Sequence, residues 1–462
     1  MTVTLRITAG LLLVLGLTRL GIAIVRTVVQ SRDEWGYAGT YFPVGFGVAT
    51  YIAFLMSWAG LPITSWSVLG LLTVLLIAGT ATELWFAHRR FRPNQRPGPR
   101  RVKFTLPLWA LVPLAGIVIA SATLAVGRSY STWDEMAAYS IKGYGIALDG
   151  SISAATSWGS GAGYPLNVPL GISMFDLLQG DSEPLSKLIF SLFFGSTILG
   201  IYQFWARTGV RQGHAVLGAG LLATIPAVFV HGTIGYVNLP FACYLTLGAL
   251  QVIDGVSRHS THQQVLGGIL LALSTWTRPD GLIVASLVSV GVLVAARISR
   301  WNKPALWALL GPIGAVGGAW QFYSWQVSPG GAQTSMLSMA RAFIEGISKG
   351  EFNLDAFYWI ARFMGGQLSD PKVWGLAFPV GVFVILLKRR VVGRRALQSS
   401  FALLVLSLLV SASLVFFYYL VSFSSDLIYW LGTDINRMML PISLLGWAWL
   451  FSHWSGEGTV IA

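Results

Sequence analysis

Acidic residues are scarce in this chain: 18 Asp and Glu stand against 31 Lys and Arg, and charged residues of every kind make up only 11% of the 462 positions. So little charge excludes a soluble globular domain of ordinary composition. Cysteine is nearly absent as well. Cys243, the single one, sits within an apolar run, which excludes a disulfide framework and a thiolate metal site and leaves it a packing role. Three phosphate, redox and zinc signatures are missing: no Gly-x-x-x-x-Gly-Lys loop, no Cys-x-x-Cys and no His-Glu-x-x-His occurs.

What the chain has instead is apolar length. Hydrophobic residues reach 54%, with a mean hydropathy of +0.66. A bilayer crossing needs roughly 20 apolar residues. Candidate spans fall near 5–25, 41–61, 66–87, 104–126, 186–206, 214–232, 236–254, 264–277, 281–297, 304–325, 372–387, 399–421 and 437–453. The expected fold class is an all-α polytopic membrane protein of about thirteen transmembrane helices. The first span lacks the short core and small-residue cleavage site of a signal peptide and is read as retained.

Basic residues orient these spans. If the Arg-rich stretch 88–103 faces the cytoplasm, alternation collects 20 of the 31 Lys and Arg on that side. The net charge of +13 is then explained by juxtamembrane clusters that meet anionic headgroups, so membrane lipids are expected partners and nucleic acid is not. The expected location is the cytoplasmic membrane. Pro and Arg forbid a continuous helix through 88–103. That break divides an accessory three-helix module with its basic linker (1–103) from a larger membrane core (104–462).

Two long loops on the outer side interrupt otherwise short connections, one near 127–185 and one near 326–371. In the second, Met336, Met339, Phe343, Ile344 and Ile347 recur at helical spacing, with Arg341, Glu345 and Lys349 on another face, as expected of an interfacial amphipathic helix. A structural lid without substrate contact is the plainer reading of these loops.

The first loop carries Ser-Thr-Trp-Asp-Glu at 131–135. Two carboxylates at the lip of a bilayer are costly and mark a substrate or ion path. The alternative is a helix start, with Ser131 or Thr132 as cap and Asp134 and Glu135 in the first turn. The two readings are compatible. Four further features share that side: Tyr-Pro-Leu-Asn-Val-Pro-Leu at 164–170, His231 with Asn238, Thr-Arg-Pro-Asp-Gly at 277–281, and Thr433 through Pro441. Arg278 and Arg437 break the positive-inside bias, so each needs an anionic partner. Asp280 or Asp434 would serve structurally, and a phosphate would serve functionally.

Together these motifs resemble the GT-C integral-membrane glycosyltransferases that use polyprenyl-phosphate sugars, such as protein O-mannosyltransferases and the lipid A aminoarabinose transferase. Asp134-Glu135 with Tyr139 is similar to that family's acidic motif in its first long external loop. Residues 164–170 resemble its Tyr-Pro-x-x-x-Pro-Leu-like segment, 277–281 its Thr-Lys-x-Glu-Gly-like turn, and 437–441 its Arg-Tyr-x-x-Pro-like element. The likeness covers about residues 104–453. Three departures stand out: Leu166 and Asn167 replace a second carboxylate, Asn238 stands where many relatives carry Asp, and Arg278 replaces a frequent Lys.

The resemblance implies sugar transfer from a polyprenyl-phosphate donor to an acceptor hydroxyl at the external face, inverting the anomeric centre. The acceptor would be a glycolipid, a polysaccharide or a protein. Asp134 is the expected general base, while Arg278 and Arg437 are expected to stabilise the departing phosphate. Glu135 either orients the acceptor or shares a divalent metal, Mg or Mn, with Asp134. Trp133, Tyr139, Tyr164, Asn167, His231, Asn238 and Asp280 complete the expected substrate-binding set. For Trp133 an interfacial belt, and for His231 a purely structural role, are the plainer readings. The rivals are a lipid or solute transporter or flippase, an oligosaccharide ligase of the same architecture, and a catalytically silent binding subunit.

Overall fold

The structure, a computed structural model, describes residues 3–30, 35–90, 108–161, 163–180, 183–299, 305–327, 336–375, 379 and 394–454. Helix accounts for 83% of it, and no strand occurs among the described residues. The first three helices are α1 (Val3–Val29), α2 (Ala38–Trp58) and α3 (Ser65–Arg90), followed by α4 (Leu108–Val126). A π-helical segment, Glu135–Ser140, leads into α5 (Ile141–Asp149), α6 (Ala154–Ser157), α7 (Asn167–Gln179) and α8 (Glu183–Ser186). The middle of the chain forms α9 (Leu188–Thr208), α10 (Gln212–Ala223), α11 (Pro226–His231), α12 (Asn238–Ser257), α13 (Thr261–Thr275), α14 (Gly281–Ile298) and α15 (Leu306–Val327). Then come α16 (Met336–Ser348), α17 (Leu354–Ser369), α18 (Pro371–Trp374), α19 (Arg394–Val421), α20 (Leu427–Met438) and α21 (Leu440–Trp454).

Seven helices among the described residues, α1, α2, α3, α9, α12, α14 and α19, are long and apolar enough to cross a bilayer, and parts of α4 and α21 are shorter apolar helices. This is a polytopic all-α membrane protein. The larger number expected from hydropathy differs for local reasons. The 214–232 run is broken into α10 and α11 where Thr224 and Ile225 precede Pro226. Helix α13 has only 15 residues and lies almost wholly buried, so its apolar character serves the protein interior. Helix α15 is long enough, but its Gly, Trp, Gln and Ser content dilutes it. Most of the 372–387 run and of the 88–103 linker lies outside the described residues.

Helix α12 is the axis of the molecule. Every residue from Asn238 to Val256 is buried, and α12 packs against α2, α9, α11, α13, α14, α19 and α21. A side chain on Gly248 would meet Leu271 and the carbonyl of Gly267 on α13, so these glycines let the two backbones approach closely. The three N-terminal helices do not stand apart. Helix α2 packs against α7, α9 and α13, and α1 against α7 and α13. The Arg207 guanidinium on α9 binds the Gly36 carbonyl before α2, and Gln263 on α13 donates to Tyr37 Oη at 2.6 Å. Helices α1, α2 and α3 are thus packed into the same helical body as the later helices they touch.

Helices α16, α17 and α20 are the amphipathic elements. Phe343 of α16 lies against Phe416, Tyr419 and Phe423, and Phe357 of α17 stacks on Tyr419 at 4.5 Å. Their other faces leave Ile344, Tyr358, Tyr429 and Trp430 exposed, a composition suited to the headgroup layer.

Candidate functional site

The segment 131–140 opens as a capped helix and then widens. Glu135 accepts from the backbone amides of Ser131 and Thr132, both at 2.9 Å, and from Gly235 at 2.5 Å. Lys187 Nζ stands 3.4 Å from its other side. Reaching back to amides three and four residues earlier is the Glu half of a capping box. Burial alone would raise this carboxyl; the three amides and Lys187 outweigh it and hold Glu135 below the usual carboxylate range. The glutamate therefore spends its acceptors on the loop and on the turn before α12.

Beyond it the chain makes i→i+5 bonds, closing with Ile141 N–H on the Met136 carbonyl. Such π-helical turns favour functional sites. Here the wider turn matters because residues five apart share a face, which directs Asp134 and Tyr139 into one cluster. The Asp134 carboxylate is ion-paired with Arg437, and Arg437 is paired in turn with Asp434 one helical turn before it. Tyr236 lies under the Arg437 guanidinium at 5.2 Å. Burial disfavours the Arg437 charge, yet Asp434 and Asp134 more than compensate and raise its pKa. Tyr139 is buried, and burial pushes its phenol well above the usual range.

Arg278 stands beside this pair, in the turn between α13 and α14. Its guanidinium takes Asp280 at 2.8 and 3.2 Å, donates to Asn238 Oδ1 and contacts the Met438 sulfur at 2.7 Å. Phe241 lies beneath it at 5.1 Å. The turn is pinned from behind: Thr50 on α2 donates to Asn167 Oδ1 at 2.7 Å, and Asn167 Nδ2 donates to Thr277 at 2.8 Å. Asn167 is fully buried and so positions Arg278 from a distance.

Of the residues expected to form a site, Asp134, Tyr139, Arg278, Asp280, Asn238 and Arg437 are brought together. Tyr164 joins them, feeling the charges of Arg278, Asp134 and Arg437 while its ring faces Lys142 at 5.6 Å. His231 binds the Ala227 carbonyl through Nδ1 at 2.8 Å, its ring 6.1 Å from Tyr236, while its buried Nε2 has no hydrogen-bond partner. Trp133 is 73% exposed and does not enter the cluster. Glu135 and Asp134, though adjacent, bind different partners. With Lys187 beside one carboxylate and Arg437 on the other, this pair is not a donor set for a divalent ion, and no metal-dependent step follows from it. No group of three metal-ligating side chains occurs among the described residues.

Sequence reasoning missed Tyr418, Tyr236 and Met438. Tyr418 is almost fully buried on α19, its hydroxyl lacks a hydrogen-bond partner, and it lies within electrostatic reach of Asp434, Arg278 and Arg437. Its place near the end of an apolar span was the available signal. Beside Arg278 lies a partly open cleft. Phe241, Ile283, Val284, Val410, Leu414 and Phe417 give it apolar walls between α12, α14 and α19, with Arg278, Asp280 and Met438 at its head.

Compared with protein-family models, with curated proteins and with solved structures, the chain matches none. The GT-C resemblance therefore stands on the motifs quoted above.

Proposed function

We propose that this protein is a membrane glycosyltransferase that moves a sugar from a polyprenyl-phosphate donor to an acceptor hydroxyl, on the external side of the cytoplasmic membrane. The observation that carries this reading is the apolar cleft with a guanidinium at its head, next to an Asp–Arg pair. An amphiphile with an anionic head and a long apolar tail suits that shape. The tail lies between α14 and α19, and the phosphate takes Arg278.

Two guanidiniums and three carboxylates (Asp134, Asp280 and Asp434) leave the cluster with excess negative charge, so a phosphate must replace a carboxylate rather than add to them. Arg437 is where the exchange fits. Its transfer from Asp134 to the donor phosphate would free Asp134 as base at the moment the donor is seated. Asp134 then takes the proton of the acceptor hydroxyl, the hydroxyl oxygen bonds the anomeric carbon, and the carbon–phosphate-oxygen bond breaks with its electron pair leaving on the polyprenyl phosphate. Arg278 and Arg437 stabilise that leaving charge. A transporter reading is less well supported, since the charged cluster stands at one end of α12 rather than at its middle.

The test is purified protein in nanodiscs offered a panel of polyprenyl-phosphate sugars. Thermal stabilisation by one donor, with transfer to a hydroxyl acceptor, is expected. No stabilisation by any donor would overturn the reading.

A further inference from the structure

The charged cluster contains a polar atom whose bond is still to be made. Tyr418 on α19 is 1% exposed, yet its hydroxyl has no hydrogen-bond partner. Burying a hydroxyl unpaired is unfavourable, and native interiors keep few of them. Tyr418 stands one helical turn after Leu414 and next to Phe417, both walls of the apolar cleft. Helical side chains one turn apart share a face, so the phenol follows the cleft wall. Its hydroxyl lies within electrostatic reach of Asp434, Arg278, Arg437 and Asp280. The acceptors among these groups are already committed. Asp280 gives both carboxylate oxygens to Arg278, Asp434 is held by Arg437, and Arg437 is paired with Asp134 as well. Guanidiniums offer donors only. What the hydroxyl lacks is an acceptor oxygen, and a phosphate seated against Arg278 brings several.

We propose that the Tyr418 hydroxyl hydrogen-bonds a phosphate oxygen of the lipid-linked sugar, which makes Tyr418 a substrate-binding residue beside Arg278 and Arg437. This assignment rests on the glycosyltransferase reading above. A hydrogen bond to a charged oxygen is stronger than one between neutral groups, and it strengthens as the leaving phosphate gains charge.

Tyr418→Phe tests this, because it removes only the oxygen. The ligand-free variant should keep or slightly raise its unfolding temperature, since an unpaired buried hydroxyl is lost. Affinity for a polyprenyl monophosphate, read by thermal stabilisation of the full chain in nanodiscs, should fall about tenfold. Affinity for polyprenol, which has no phosphate, should not change. Equal monophosphate affinity in parent and variant would overturn the assignment and leave the transferase reading intact. A lowered unfolding temperature of the ligand-free variant, or an equal loss for polyprenol, would make the hydroxyl structural and overturn it too. Failure of the parent itself to bind any polyprenyl phosphate would instead overturn the transferase reading, and the assignment with it.

Discussion

Among the described residues two Arg–Asp networks stand one at each end of α12, and they are built to opposite specifications. At one end Asp254 accepts from Arg207 at 2.7 Å, from Gln263 at 3.2 Å and from Arg258, while Arg207 also reaches Gln251, the Gly36 carbonyl and the Tyr37 ring. Arg207 and Asp254 are nearly sealed from solvent, and three helices (α9, α12 and α13) and the α1–α2 connection are tied by them. At the other end Asp134, Arg437, Arg278 and Asp280 remain partly open, beside an apolar cleft and the unpartnered atoms His231 Nε2 and Tyr418 Oη. The residue types are the same. What separates a fastening from a site is the hydrogen-bonding capacity left unspent and the space beside it.

Substitutions can break that contrast. The largest stability effect is expected at the sealed end: Asp254→Ala strands Arg207 and should cost about 3–5 kcal/mol, read as a lowered unfolding temperature in detergent. Asp134→Asn should do the reverse, leaving the unfolding temperature nearly unchanged while sugar transfer falls roughly 10²–10⁴-fold. Transfer by the purified Asn variant near the parent rate would remove Asp134 from the role of base.

Glu135 tests the boundary between the two kinds. Glu135→Gln leaves buried Lys187 without its carboxylate and should destabilise by about 2–3 kcal/mol. Because its folded pKa is lowered, its contribution is present above the usual carboxylate value and is lost as pH falls below that value. The parent should therefore lose stability on acidification below about pH 4.5 more steeply than the Gln variant.

Lys142 gives a slope of the same sign in a separate, alkaline window. Its ammonium is buried with the Gly161 carbonyl, and burial pushes it down to about 8. Between that value and the ordinary 10.5 the unfolded chain binds more protons, so stability should rise with pH through this window. Lys142→Met should abolish that rise in a pH series of unfolding temperatures.

Much of this organisation was legible in the sequence. Apolar periodicity and length gave the polytopic all-α class, and the amphipathic spacing at 336–347 became α16. Positive-inside arithmetic singled out Arg278 and Arg437 as misplaced cations, and both are held by carboxylates the sequence offered within three residues. The pairing of Arg437 with Asp134, 303 residues apart, was not legible, because no local spacing encodes a contact made by folding. Nor could hydropathy tell a buried helix such as α13 from a lipid-facing one, since both environments reward the same side chains. The division of Asp134 from Glu135 was hidden too: adjacent residues on a helix start point to different sides, and only the partners reveal which side is occupied.

The π-helical stretch has a consequence for residue count. An α-helix turns about 100° per residue, so tightening Glu135–Ser140 by one residue would swing Asp134 out of line with Tyr139 and Arg437 while keeping every side-chain type in the site. Deleting Ala137 removes only a methyl-bearing residue, yet it resets the phase of everything before it. The arrangement is thus a matter of frame as well as of composition: the position of the carboxylate is set by how many residues separate it from α5.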